Sequence, residues 1–139
     1  MLVVTAEGTL AMMRMLVAGV APQPVAHLFQ NNVVPDHTFS LASFVENSFP
    51  GYAAQNAFPD VSVAGQPSGD ALITWQSLNW LPSGITAELS YGYYITDLDP
   101  VTALQVVLWC ERGTPTVDWS VPSTALTLQP KFDFQTLFG

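Results

Sequence analysis

Residues 91–112, YGYYITDLDPVTALQVVLWCER, decide the fold. Just before and into this stretch, Leu89, Tyr91, Tyr93 and Ile95 alternate with Glu88, Ser90, Gly92, Tyr94 and Thr96, the period of two of a strand with one buried face. Asp97, Asp99 and Pro100 then bond their own backbone or fix φ, which is turn chemistry. Residues 104–110 resume as an apolar run rich in β-branched side chains, as a buried strand does. The stretch therefore predicts an antiparallel hairpin.

Working outward, residues 6–20 read as the one helix of the chain. Leu10, Met13, Val17 and Val20 recur at spacings of three and four and share a face, while Met12, Met15 and Leu16 widen the apolar surface, so the helix is expected to be covered on more than one side. Gly19, Pro22 and Pro24 stop it. Residues 25–30 (VAHLFQ) predict a strand, 31–37 a loop, and 38–45 either a strand or a single helical turn. Pro50 and Gly51 mark a turn with Phe49 and Tyr52 as anchors. Residues 58–70, rich in Pro, Gly, Ser and Asp, predict an exposed mobile loop with one short strand at 61–63. A strand follows at 71–78, then Trp80, Leu81 and Pro82 lead into a turn at Ser83 and Gly84.

Beyond the hairpin, residues 113–115 predict a turn and Val117, Trp119 and Val121 the alternation of another strand. Residues 125–129 and 131–137 predict two more, the last with Phe132 and Phe134 on one side. Short strands about ten residues apart with turn signals between them indicate an all-β, mainly antiparallel fold, a β-sandwich or jelly-roll-like barrel with one N-terminal α-helix. Residues 1–139 are expected to form a single domain.

Composition narrows the function. Only 10% of residues are charged against roughly 25% in ordinary soluble proteins. Yet 49% are hydrophobic, too little charge to cover a free monomer. The apolar residues do not concentrate in one place: Glu7 and Arg14 interrupt residues 1–20, the only segment approaching the roughly 18 apolar residues of a membrane span. The excess therefore predicts subunit or partner contact and no membrane. A formal charge of −8 with three basic residues, Arg14, Arg112 and Lys131, predicts no nucleic-acid binding, because phosphates would go unneutralised. The single cysteine, Cys110, sits in the apolar run 104–110 and is expected to be a buried, inert thiol.

No motif supplies catalytic or metal chemistry. His27, His37 and one Cys lack the spacing of a zinc site, so no metal or cofactor is expected. Asp97 and Asp99 lack the further oxygen ligands of a calcium loop and read as turn formers. There is no GxSxG elbow, phosphate-binding glycine loop or GxGxxG, and no enzyme is expected. Four Trp and four Tyr keep a carbohydrate-binding β-sandwich open as an alternative. Trp80, at a loop edge, and Tyr94, on the face opposite Tyr93, are the rings expected to be exposed for it.

In chain order, LFQNNVVP at 28–35, SFPGYA at 48–53, SYGYYITD at 90–97, LWCER at 108–112 and LTLQPKFDF at 126–134 resemble a group of small proteins encoded among bacteriophage structural genes. Their shared pattern is an LF-NN--P strand end, an FPGYA turn, a YGYY strand and an LWAER-like strand, from which this chain departs at Cys110. The resemblance implies a non-enzymatic virion protein, first a capsid decoration or cement protein, next a tail, spike or fibre subunit. It implies homo-oligomers that contact the major capsid protein or another virion component. Leu10, Met13, Val17, Trp80, Leu81, Tyr94, Phe132 and Phe134 are the candidate assembly residues.

Overall fold

The hairpin forms as expected in a computed structural model that describes residues 2–56, 62–65, 71–74, 76–129 and 131–133. Its strands, β7 (Leu89–Leu98) and β8 (Gln105–Asp118), lie at the centre of an antiparallel five-stranded sheet. β1 (Leu2–Val4) pairs with β8 on one side, and β2 (Val25–Phe29) with β7 on the other, followed by β3 (Gln55–Asn56) at the far edge. A three-stranded sheet holds β4 (Ser62–Gly65), β5 (Ala71–Thr74) and β10 (Lys131–Asp133), and a two-stranded ribbon pairs β6 (Leu78–Trp80) with β9 (Leu126–Leu128). The fold is all-β and mainly antiparallel, with one helix, α1 (Ala6–Ala18), and no closed barrel among the described residues.

The central sheet is buried on both faces, not one. Tyr93 and Ile95 pack with Leu28 of β2, Leu108 and Trp109 of β8, Ala11 and Met15 of α1, and Leu78 and Trp80 of β6. Tyr94, on the opposite face, packs with Phe29, Phe44, Val107 and Cys110. The second layer on that side is the 31–46 segment, which carries a 3-10 turn at Leu41–Ser43 and lays Val33, Phe39 and Phe44 over the sheet. Alternation alone cannot reveal this, because a strand sandwiched between two layers carries side chains of both faces into a core. Cys110 is fully buried, and burial first, with the charge of Asp36 second, pushes its thiol up to about 12.

Two irregularities shape β8. The predicted turn at 113–115 does not occur. Ser90 pairs with Val117 and Gly92 with Arg112, so four residues of β8 bulge opposite Tyr91 alone and the strand continues to Asp118. Pro115 lacks the N–H a ladder needs, and the bulge absorbs it. Trp119 follows the strand and is 1% exposed. The second irregularity lies between Ile95 and Thr96, whose partners are Trp109 and Val107, leaving Leu108 unpaired.

That unpaired residue is where the helix docks. Thr5 is buried and caps α1 by accepting from Gly8 N–H at 2.9 Å. Its own N–H donates to Leu108 O at 3.2 Å, its hydroxyl donates to Val107 O, and Glu7 Oε1 accepts from Val107 N–H at 2.9 Å. Past Val4, where β1 ends, the backbone groups of Val107 and Leu108 are thus satisfied by Thr5 and the first turn of α1. Only Gly8, Ala11 and Met15 of the helix are buried. Gly8 allows a close approach to the Leu108 backbone that a side chain at its place would block, and this sets the docked face, which is not the one formed by Leu10, Met13, Val17 and Val20. The helix ends in a left-handed Gly19 at φ 67°, with Val20 N–H donating to Met15 O at 3.0 Å.

The expected mobile loop at 58–70 lies mostly outside the described residues, apart from β4.

Candidate functional site

Two arrangements combine chemistry with position: a polar cluster in the second layer and an apolar surface on α1. In the cluster, His27 of β2 shares a register position with Tyr94 of β7, and the two rings stack with centroids 4.7 Å apart. Phe44 stacks on the other side of Tyr94 at 4.4 Å. His27 Nδ1 lies 2.6 Å from Glu46 Oε2, and because the carboxylate only accepts, Nδ1 carries the hydrogen. His27 Nε2 lies 2.8 Å from Thr96 Oγ1. The same Glu46 oxygen accepts from Tyr52 OH at 2.6 Å, and Tyr52 OH accepts from Leu28 N–H at 3.1 Å.

A hydroxyl, an imidazole and a carboxylate in line have the connectivity of a nucleophilic triad. Burial decides against that use here: Thr96 is 2% exposed on a central strand, so no acyl group can reach its oxygen. What the cluster can do is fasten the 44–52 segment to the sheet. Glu46 ties together β2, the segment that follows the 3-10 turn and the Pro50–Gly51 turn, whose Tyr52 N–H donates to Phe49 O at 2.9 Å.

Burial raises the hydroxyls of Tyr52, Tyr93 and Tyr94 above the ordinary tyrosine value of 10, with the Glu46 carboxylate adding to it at Tyr52 and Tyr94 and Glu111 at Tyr93. The sign follows directly. Below pH 10 both folded and unfolded chains keep these phenols protonated. Above it the unfolded chain ionises while the folded one does not, so stability falls as pH rises. The urea midpoint is therefore expected to hold up to about pH 10 and to drop steeply above it, with the phenolate absorbance of these three residues appearing only as the chain unfolds. Phenolate absorbance that titrates fully near pH 10 in the folded protein would contradict it.

The aromatic residues singled out for sugar stacking are not available. Trp80 is 2% exposed and its indole N–H donates to Ala53 O at 2.9 Å, because β6 is a strand whose first and last residues face the core. Tyr94 is 3% exposed within its stack. Phe132 lies on β10, and Phe134 lies outside the described residues. Asp97 and Asp99 diverge: Asp97 accepts from Gln23 and Leu98 N–H, whereas Asp99 accepts from Val101 N–H at 2.9 Å and Arg14 at 2.6 Å. Burial works to raise the Asp99 carboxyl, but those two donors outweigh it and hold it below the usual carboxylate range. No group of three or more metal-ligating side chains occurs among the described residues.

The apolar surface is the stronger candidate. Leu10, Met13, Leu16 and Val17 of α1 are 48, 60, 82 and 90% exposed. Val101, in the turn between β7 and β8, joins Met13 and Val17 along a shallow groove. Arg14 beside them is drawn off to Asp99, and Glu7 accepts from Val107 N–H, so both charged side chains of α1 are engaged. Leu81, also exposed, belongs to a separate patch with Ile85 and Val121. The structure thus places Leu10, Met13 and Val17 together, keeps Leu81 apart and buries Trp80 and Tyr94. Leu16 and Val101 were not among the sequence candidates; exposure of a residue in an apolar turn depends on what packs over it, which no periodicity reports. No helix among the described residues is long and apolar enough to cross a membrane. No family model, curated protein or solved structure matches the chain.

Proposed function

We propose that the chain is a non-enzymatic structural protein of a bacteriophage particle, a head decoration or cement subunit. Its copies bury apolar surface against one another and against the major capsid protein. Binding is the mechanism. The observation that carries the reading is the outer face of α1, where four large apolar side chains stand in solvent while both charged side chains of the helix are engaged. Contiguous exposed apolar surface of this kind is a feature of proteins that assemble. The ordered motifs at 28–35, 48–53, 90–97 and 108–112 support a virus particle as the setting. A tail, spike or fibre subunit is the second reading, favoured by the same surface. The carbohydrate-binding alternative loses its support with the burial of Trp80 and Tyr94.

The test is cosedimentation of the purified chain with phage heads stripped of their decoration, and separately with isolated tails. Pelleting with heads, and a higher temperature of head disruption in its presence, is the expected result. A chain that stays in the supernatant with both would sink the proposal, and one that pellets only with tails would move it to the second reading.

A further inference from the structure

We infer that two copies of this chain pair through the outer face of α1, with the helices antiparallel about a twofold axis. The first support is spacing. Diametrically opposite the docked residues Gly8, Ala11 and Met15 stand Ala6, Leu10, Met13 and Val17, all exposed. They recur at i, i+4, i+7 and i+11, the stripe that seats one helix on another. That pattern reads the same in both directions. Laid antiparallel on a second copy, Ala6 meets Val17 and Leu10 meets Met13, a small residue against a branched one at the ends and two long ones at the centre. The centre of symmetry falls between residues 11 and 12, at the middle of the helix, so the two helices overlap along their whole length of about 20 Å. An antiparallel pair also opposes the helix dipoles, whereas a parallel pair would align them. An interface of this kind is isologous and closes at two copies.

Area is the second support. A fully exposed aliphatic or Met side chain presents roughly 100 Å². On that scale the exposed fractions of Leu10, Met13, Leu16, Val17 and Val101 amount to roughly 350 Å² of apolar surface. A standard interface buries about 800 Å² per partner, about 60% of it apolar. These five side chains supply about three quarters of that share alone. Charge is the third. Each copy carries −8, which opposes association at a distance, yet at the stripe itself Glu7 is held by Val107 N–H and Arg14 by Asp99. Long-range repulsion without a local clash predicts pairing that strengthens as salt is added.

The inference deepens the assembly reading by assigning α1 to contact between copies, but it is tested in solution without particles. In sedimentation velocity across the micromolar range the chain is expected to run as a dimer. Val17→Asp is expected to raise the dimer dissociation constant at least about a hundredfold, since it sets a carboxylate in each half of the seam. Leu81→Asp, also at an exposed position but elsewhere, is expected to leave it unchanged. Circular dichroism of both variants should match the parent, because neither side chain is buried.

Cysteine substitution tests the direction of pairing. A mixture of Ala6→Cys and Val17→Cys chains should cross-link with a short bismaleimide, while neither should cross-link alone, because like positions lie about 16 Å apart along the antiparallel pair. Cys110, fully buried, does not compete. A monomer at every concentration, a dimer indifferent to Val17→Asp, or efficient cross-linking of either variant alone would overturn the inference. A parent chain that binds heads yet stays monomeric would overturn it without touching the proposed function, and a parent chain that dimerises through α1 yet binds neither heads nor tails would do the opposite.

Discussion

Gly8→Ala is expected to detach α1 from the sheet and to cost more than about 3 kcal/mol, the upper part of the range for overpacking a core. In an exposed helix the same change stabilises by up to about 1 kcal/mol, because glycine loses more backbone freedom on folding than alanine. Here the sign reverses. A Cβ on Gly8 would fall 2.5 Å from Leu108 Cα and closer still to its carbonyl oxygen. Those atoms are backbone, and they cannot retreat: Leu108 O accepts from Thr5 N–H, and Val107 is held by Thr5 and Glu7. Relief requires the helix to move, which breaks those bonds and uncovers Ala11 and Met15. Urea unfolding followed by circular dichroism measures the loss, with Gly19→Ala as the control. Gly19 has open space around it and only a positive φ to strain, so it should lose about 1 kcal/mol. A Gly8→Ala chain as stable as the parent would show that α1 does not sit against Leu108.

Trp119→Ala is expected to cost about 4 kcal/mol or more. Its ring is 1% exposed, packs on Phe49 with centroids 4.4 Å apart, and belongs to the larger of the two cores. Its indole N–H also donates to Ser90 Oγ at 2.7 Å, the end of a buried chain in which Ser90 Oγ donates to Asn47 Oδ1 at 2.7 Å and Asn47 Nδ2 donates to Glu88 Oε1 at 3.0 Å. Alanine leaves both a cavity and a serine oxygen without its donor. Trp119→Phe separates the two: it keeps most of the ring and deletes the N–H, so a loss of about 1–2 kcal/mol is expected. If both variants lose the same amount, the hydrogen-bonded chain rather than the volume dominates. If neither loses more than a surface substitution does, the ring is not in the core.

How much of this was legible varies with the range of the interaction involved. The 91–112 hairpin, the helix near 6–20, the strand at 25–30 and the Pro50–Gly51 turn all rest on local periodicity or turn chemistry, and each forms where its residues predicted. β1 did not show, because three apolar residues leading straight into an apolar helix carry no period of their own. The turn expected at 113–115 failed because Gly and Pro signal a break in regular pairing, and a bulge within a continuing strand satisfies that signal as well as a reversal does. Tyr94 and Trp80 were expected outside and lie inside, since the layer formed by residues 31–46 and the strand pairing of β6 are long-range facts.

The amino-acid sequence by itself determined the class of this protein: short strands with turn residues between them, one helix, scant charge and a surplus of apolar side chains. Those properties follow from backbone preference and composition, which act over a few residues. Only the tertiary structure decided which apolar residues were left over. The helix could have docked through Leu10, Met13 and Val17, as its pattern invited, but the backbone at Leu108 comes so close that only a glycine, Gly8, fits against it, and Ala11 and Met15 are buried with it. Steric fit against that backbone turned Leu10, Met13, Leu16 and Val17 outward, and it is this choice that left them exposed on α1.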